Sequence, residues 1–162
     1  MEAYAMLEIV IPGKESLRFE HLVLDYNGTL AVDGEPVPGV LERLEAISSH
    51  LMVHVITADT FGKVKDRLGA AGFIKVSVLP VGDQTRAKLN YIGELGIDRC
   101  VAVGNGRNDQ SMIEAAALGI TVILAEGCAA EALRAADVVC TDICNALDLL
   151  LNPLRLIATL RV

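Results

Sequence analysis

The sequence has no tryptophan, and aromatic residues make up only 4% of its 162 positions. Because 52% of the residues are hydrophobic, the core must be built mainly from aliphatic side chains. Basic residues are also few: 14 Lys and Arg stand against 21 Asp and Glu, which gives a net charge of −7. Phosphate groups repel such a chain, so we expect neither nucleic acid nor an anionic membrane as a partner.

Three sequence patterns are missing as well. The four cysteines form no CxxC pair and have no metal-ligand spacing with the three histidines, which predicts free thiols in a reducing, cytoplasmic setting. We expect no signal peptide and no membrane span, because charged residues and prolines interrupt every apolar stretch. No GxGxxG follows the first predicted strand, which disfavours a general Rossmann-like nucleotide binder.

What the sequence does contain is a regular alternation of short apolar runs and helical patterns. The apolar runs predict strands, several of them covered on both faces, at 21–25, 51–57, 74–80, 99–104, 119–124 and 137–140. Helices are predicted between them, near 39–49, 60–71, 83–95, 108–117 and 128–135. This order predicts an α/β fold, a Rossmann-like three-layer αβα sandwich with a mainly parallel sheet.

The length and the lack of a linker predict a single domain over 1–162. Its core is expected over about 20–140, with an extra edge strand or hairpin at 4–11 and a helical tail at 143–160. In sheets of this kind ligands bind outside the carboxyl ends of the strands. The residues that follow the strands are therefore the candidates for a functional site.

Polar residues and glycines do follow several predicted strands. Asp25 ends the first strand within HLVLDYNGTLAVDG, Thr57 ends the second, and GNGRND (104–109) follows the fourth. An aspartate beside a glycine turn can bind Mg²⁺ with one carboxylate oxygen and attack phosphorus with the other. Structural explanations stay open at this point, since Asp25 can close a turn and Thr57 can cap the following helix.

Taken in order, DYNGTL, ITADT, Lys88 and GNGRNDQSMIEAA resemble the four motifs of the haloacid dehalogenase-like (HAD) hydrolase superfamily, over about residues 20–140. The resemblance implies that Asp25 is the nucleophile that forms an aspartyl-phosphate, while Thr57 and Lys88 bind the phosphoryl group. The implied site comprises catalytic Asp25, Asn27, Thr57 and Lys88; phosphate-binding Asn27, Gly28, Thr57, Ala58 and Lys88; and Mg²⁺ ligands Asp25, Asn27, Asn105 and Asp109, with Asn108 as a further candidate.

Two asparagines depart from the pattern of the superfamily. Asn27 stands where its phosphatases usually carry a second aspartate, which protonates the leaving group and then activates water; losing such a group costs on the order of 10²–10⁴ in rate. Asn105 stands where an aspartate is usual, which removes one negative charge from the metal site. The resemblance is therefore closer to soluble relatives of the P-type ATPase phosphorylation domain, which also lack the second aspartate, and we expect slow turnover.

The spacing of the motifs leaves no room for a cap domain, because 32 residues lead from Asp25 to Thr57 and 31 from Thr57 to Lys88. Capless members of the superfamily leave the site open or close it with a neighbouring subunit, so we expect a homo-oligomer that acts on a phosphorylated substrate. A different function also stays open at this point: a catalytically weak or inactive regulatory domain that binds phosphate or a phosphoprotein.

Overall fold

The computed structural model describes residues 6–59, 62–68 and 70–162. The predicted N-terminal segment 4–11 and the predicted helix 60–71 fall partly on residues 4, 5, 60, 61 and 69, which lie outside the described residues. The strands are β1 (Leu7–Ile9), β2 (Leu17–Phe19), β3 (His21–Asp25), β4 (Ala31–Val32), β5 (Glu35–Pro36), β6 (Met52–Thr57), β7 (Ile74–Val78), β8 (Cys100–Gly104), β9 (Leu118–Val122) and β10 (Val138–Cys140). The helices are α1 (Val40–Ile47), α2 (Lys63–Leu68), α3 (Gln84–Leu95), α4 (Gln110–Ala115), α5 (Ala130–Ala135), α6 (Ile143–Leu151) and α7 (Pro153–Leu160).

Six strands form one parallel sheet in the order β10-β9-β8-β3-β6-β7. Every residue of β3, at the centre, is buried, because helices cover both faces of the sheet. Leu22 and Leu24 pack in one hydrophobic cluster and Val23 in the other. The predicted α/β architecture with a mainly parallel sheet is confirmed.

The two faces of the sheet carry different helices. The larger cluster includes buried residues of α1, α2, α6 and α7, for example Leu44, Val64, Leu147 and Leu156. The smaller cluster packs Ile92 of α3 and Met112 of α4 against the other face. The side chain of Asp83 caps α3 by accepting a hydrogen bond from the backbone N of Arg86 (3.1 Å), so α3 has a fixed start one turn before Lys88.

Most strands and helices lie within two or three residues of their predicted ends. α4 is shorter than predicted, since it ends at Ala115 and β9 begins at Leu118. The backbone of Gly119 comes so close to the carbonyl of Ile113 that a side chain at position 119 would collide with it. A 3-10 turn, Arg107–Asp109, leads into α4.

Two small hairpins stand apart from the main sheet. β1 pairs antiparallel with β2, so the N-terminal segment forms a hairpin and does not extend the sheet. β4 and β5 form the second hairpin, which we call the flap (residues 31–36). The tail consists of α6 and α7, which meet at an angle of 101°. Among the described residues no single helix is long and apolar enough to cross a membrane, although this bent pair passes the same criteria of length and composition.

A chain of buried and half-buried polar side chains links β3, β6, β7 and α3. Nδ1 of His21 lies 3.1 Å from Nε2 of His54, whose Nδ1 lies 2.8 Å from the Tyr91 hydroxyl. That hydroxyl lies 3.3 Å from Oγ of Ser77. Burial lowers the pKa of both histidines, that of His54 to about 4. Both histidines are therefore uncharged at neutral pH, and we call His21, His54, Tyr91 and Ser77 the histidine chain.

Candidate active site

The carboxyl ends of β3 and β8 meet the second turn of α3 at a buried cluster of charges. Asp25 ends β3, and its Oδ1 accepts a hydrogen bond from Nζ of Lys88 at 2.9 Å. The same Nζ donates to Oδ1 of Asp109 at 2.7 Å and to Oδ1 of Asn108 at 3.2 Å. All three protons of the ammonium group are used, so Lys88 ties the first and last predicted motifs together.

Lys88 is 2% exposed, and a buried lysine needs strong partners to keep its charge. Burial alone would lower its pKa, but Asp25 and Asp109 outweigh that effect and the pKa is raised. Lys88 therefore stays protonated and carries a fixed positive charge next to Asp25. It is not the solvated helix lysine that the sequence alone allowed.

Asp109, a predicted Mg²⁺ ligand, is held by hydrogen bonds to both of its carboxylate oxygens. It is fully buried, its Oδ1 accepts from Lys88, and its Oδ2 accepts from the backbone N of Asn105 (3.0 Å) and of Gly106 (2.9 Å). Both oxygens are thus engaged inside the protein, and Asp109 does not line the neighbouring cavity. In this arrangement Asp109 holds Lys88 and the loop that carries Asn105, and its role as a Mg²⁺ ligand stays a prediction.

The pKa of Asp25 is raised to about 7, first by burial and second by repulsion from Asp109. Lys88 opposes both effects but does not cancel them. Two carboxylates and one ammonium leave the cluster with an excess negative charge in a place with little solvent. A bound cation would relieve this repulsion.

Thr29 and Asn105 complete the side of the cluster where a cation could bind. The Thr29 hydroxyl lies 3.3 Å from Oδ2 of Asp25 and 3.2 Å from Oδ1 of Asn105. The amide nitrogen of Asn105 donates to the carbonyl of Gly127 (3.0 Å), while its amide oxygen accepts from the Thr29 hydroxyl, which also lies beside Asp25. Carboxylate and amide oxygens suit Mg²⁺, which in proteins often has only one or two side-chain ligands. The residues fit such an ion, although the described part of the chain has no group of three or more His, Cys, Asp or Glu residues that could hold a metal.

A cavity of about 740 Å³ opens above this cluster. The predicted site residues that line it are Asp25, Asn27, Thr57, Ala58, Lys88, Asn105 and Asn108. Thr57 is buried, and its Oγ1 accepts a hydrogen bond from the backbone N of Asp59 (3.1 Å), which leaves the hydroxyl proton able to donate into the cavity. Asn27 and Ala58 are exposed at its mouth.

Gly28 has a structural role in the turn after β3, and its phosphate-binding role stays a prediction. Its backbone N donates to the carbonyl of Ala31 at 2.8 Å, so this amide is used within the turn. Its backbone has a φ of 78°, and a Cβ there would collide with the side chain of Asn105. The glycine is needed because the two loops approach each other closely.

Several residues of the site were not predicted from the sequence. Thr29 lies within the DYNGTL motif, so that motif could have indicated it. The carbonyl of Gly127 comes from a distant loop, and no sequence signal marks it. The cavity is also lined by Lys63 and Arg67 of α2 and by Glu35 of the flap, which have no motif of their own.

No protein-family model matches the sequence. An uncharacterised protein of Methanocaldococcus jannaschii is 41% identical over 92 residues, which cover 54% of this chain and 99% of that protein. The chain therefore belongs to one family with this archaeal protein.

Solved structures are similar over most of the chain. A cobalt-bound deoxy-D-mannose-octulosonate 8-phosphate phosphatase of Haemophilus influenzae matches with a TM-score of 0.68 and 12% identity, over 83% of this chain and 88% of that one. The corresponding phosphatase of Moraxella catarrhalis, in complex with magnesium, phosphate and KDO, matches with a TM-score of 0.63 and 20% identity, over 88% and 94%. The chain has the HAD-like fold.

The catalytic domain of the CPx-ATPase CopB-B has the same fold, with a TM-score of 0.59 and 21% identity, over 71% of this chain and 45% of that one. The solved structures similar to this chain thus include phosphatases and an ATPase domain, all with the HAD-like fold. Both belong to the classes that the sequence motifs resemble. At these identities the likeness shows the fold, and the chemistry has to be argued from the residues of the site.

Proposed function

We propose that the protein is a Mg²⁺-dependent phosphohydrolase or phosphotransferase that works through an aspartyl-phosphate on Asp25. The observation that carries the proposal is the buried ammonium group of Lys88, which holds the Asp25 carboxylate at the floor of a polar cavity. The similar solved structures support it, because two of them are phosphatases of a sugar-acid phosphate and one of these contains magnesium and phosphate.

In the first step an oxygen of Asp25 attacks the phosphorus of a bound phosphomonoester. The new O–P bond forms as the bond to the leaving oxygen breaks, while Thr57 donates a hydrogen bond to a phosphoryl oxygen and the ammonium group of Lys88 offsets the negative charge that Asp25 and the phosphoryl group bring together. A Mg²⁺ ion held by Asp25 and Asn105 would supply the positive charge that lets a carboxylate approach a phosphate. The leaving oxygen takes its proton from water, because the amide of Asn27 cannot supply one.

In the second step water attacks the aspartyl-phosphate and releases Asp25. This step needs a base to take the proton of the water, and Asn27 at the mouth of the cavity provides none. We therefore expect the phosphoenzyme to persist and turnover to be slow. If a hydroxyl group other than water enters the cavity, the same intermediate makes the protein a phosphotransferase.

The proposal is tested by intact-protein mass spectrometry after incubation with Mg²⁺ and acetyl phosphate. We expect a gain of about 80 Da, the mass of a phosphoryl group, on the wild-type protein and none on Asp25→Asn. If neither protein gains mass and neither releases phosphate, the proposed reaction is wrong.

Restoring the missing carboxylate gives a second test. Asn27→Asp should raise Mg²⁺-dependent phosphate release from acetyl phosphate by about 10- to 100-fold, because a group that can exchange protons then faces the phosphoenzyme. Asn90→Asp is the matched control, since Asn90 is an exposed residue of α3 outside the cavity. Equal rates in wild type and Asn27→Asp, with the aspartyl-phosphate still forming, would contradict the role assigned to this position.

A second candidate function is a catalytically inactive domain that binds phosphate or a phosphoprotein. The two asparagines favour it, because they remove a proton donor at position 27 and a negative charge at position 105. This domain would bind inorganic phosphate in the presence of Mg²⁺ and would form no covalent adduct. The mass measurement therefore separates the two functions.

Two broader parts of the proposal follow from the surface of the protein. The cavity is open to solvent, and we infer that a second copy of the chain covers it in a homo-oligomer. The four cysteines are free, which supports a cytoplasmic location where thiols stay reduced.

A further inference from the structure

The cavity continues beyond the reacting groups to a second end, where two basic side chains of α2 lie beside the carboxylates of Asp33, Glu35 and Asp59. There it is lined by Lys63 and Arg67 of α2 and by residues 33–35 of the flap. Lys63 and Arg67 are four residues apart, so they lie on the same face of the helix. We call this part of the cavity the distal end. At about 740 Å³, the whole cavity is far larger than a phosphate group requires.

At the distal end Arg67 holds a carboxylate of the protein itself. Its Nη1 lies 2.7 Å from Oε2 of Glu35 and its Nη2 lies 2.6 Å from Oε1, so both oxygens are bound in a fork. This is the geometry in which arginine recognises carboxylates in general. Glu35 thus occupies a place where the carboxylate of a small molecule would fit.

The ion pair between Arg67 and Glu35 is open to exchange. The two side chains are 50% and 60% exposed, and ion pairs at such positions contribute little to stability. The side chain of Lys63 has no hydrogen bond or ion pair to any described residue, so its ammonium group can bind a ligand beside Arg67. A competing carboxylate that also gains the attraction of Lys63 would displace Glu35.

The flap does not depend on this ion pair for its position. The Tyr26 hydroxyl donates to the carbonyl of Gly34 at 2.8 Å. On the opposite side the backbone N of Asp33 donates to Oε2 of Glu126 at 3.2 Å. The side chain of Glu35 can therefore turn away from Arg67 while the flap keeps its place in the lining of the cavity.

We propose that Arg67 and Lys63 are specificity-determining residues that bind a carboxylate of the substrate in place of Glu35. The substrates are then small phosphomonoesters that carry a carboxylate, with the phosphate at Asp25 and the carboxylate at the distal end. The inference rests on the proposed phosphoryl chemistry of Asp25 and adds the second point of recognition.

The test uses two pairs of compounds that differ only in a carboxylate against a CH₂OH group. They are 3-phosphoglycerate with glycerol 3-phosphate, and 6-phosphogluconate with glucitol 6-phosphate. We expect kcat/KM of the wild type to favour the acid in at least one pair. Arg67→Gln should raise KM for that acid about tenfold and leave its alcohol partner unchanged. Glu35→Gln should lower KM for the acid about two- to fivefold. Lys65→Gln, an exposed change on α2 outside the cavity, is the control for helix charge.

Equal kcat/KM values within both pairs, or a preference for the acid that survives in Arg67→Gln, would overturn the inference. If the wild type hydrolyses none of the four compounds, the proposed reaction has failed for them, and calorimetric titration of the same compounds with Mg²⁺ decides about the distal end separately. Binding of an acid that is tighter than that of its alcohol partner, and that is lost in Arg67→Gln, supports the inference. Absent or equal binding contradicts it.

Discussion

Two polar clusters lie on the central sheet and both involve α3: the charged cluster joins β3 and the turn after β8 to it, and the histidine chain joins β3, β6 and β7 to it. At the carboxyl ends of the strands the carboxylates of Asp25 and Asp109 both lie within hydrogen-bond distance of the Lys88 ammonium nitrogen. The histidine chain joins neutral groups. Both clusters contain deeply buried side chains, Lys88 and Asp109 in one and His54 in the other, so burial alone does not decide which side chains are charged.

The difference between the clusters shows what a functional site costs the fold. In the histidine chain each ring nitrogen in contact faces a partner that can share one proton, and no net charge is buried. In the charged cluster two carboxylates compete for one lysine, and the pKa of Asp25 rises to about 7 because the repulsion is not fully balanced. We interpret this excess of negative charge as a sign that the cluster binds a cation, and a phosphate together with it.

The largest expected effect comes from removing the positive charge of Lys88 from the charged cluster. Lys88→Met leaves Asp25 and Asp109 buried without their common partner, so we expect a loss of about 3–5 kcal/mol in the free energy of unfolding at pH 8. Urea denaturation measures the loss. It should shrink at pH 5.5, where Asp25 holds a proton, and Lys65→Met, an exposed change on α2, should show almost none of it. A loss of the same size at both pH values would mean that Lys88 acts mainly by packing.

The histidine chain should lose its contribution to stability as the pH falls, whereas the effect of Lys88→Met should be larger at the higher pH. The folded-state pKa of His54 is about 4, against 6.5 for the ordinary side chain, so the unfolded chain binds a proton that the folded chain refuses. The contribution to stability is complete above pH 6.5 and is lost as the pH falls towards 4, by about 3 kcal/mol. Urea denaturation between pH 7 and 4 should show a shallower slope for His54→Gln than for wild type. His50→Gln, at an exposed position, should keep the wild-type slope.

The smallest expected effect concerns the nucleophile itself. Asp25→Asn removes a carboxylate that ionises in the folded protein only near pH 7, against an ordinary value of 3.8. Since the ionised form is disfavoured in the fold, the stability of the wild type falls as the pH rises from about 4 to 7. At pH 8 the variant should therefore be more stable by about 1–2 kcal/mol while all phosphate release is lost. Thermal denaturation at pH 8 and at pH 5 tests this, because at pH 5 the gain should largely disappear.

Much of the fold could be predicted from the sequence, because its main signals are local. The apolar run at 21–25 and similar runs correctly predicted the strands of the parallel sheet. Asp83 stands at the start of α3 and Gly96 at its end, which are usual positions for these residue types. The end of α4 was missed because it depends on how tightly Gly119 packs against the carbonyl of Ile113. Such contacts between neighbouring elements leave no periodic pattern in the sequence.

The site was predictable as far as its motifs extend. Asp25, Thr57 and Lys88 lie where the order of the motifs indicated, at or beside the cavity. The way Asp109 is held by the loop of Asn105 was not predictable, since it depends on which oxygen accepts which backbone N–H. The ion pair between Arg67 and Glu35 joins a helix and a hairpin with no shared motif, and only the three-dimensional structure brings them together.

The close approach of Gly28 to Asn105 has a consequence for how this family can evolve. No side chain fits at position 28 without moving the side-chain amide of Asn105, whereas the adjoining Asn27 is exposed. In a library of all single substitutions, folded variants should be almost absent at position 28 and abundant at position 27. The tolerance to substitution would then differ sharply between these two neighbouring positions. Position 27, to which we assign a part in the proposed reaction, would be the one at which substitutions accumulate more easily.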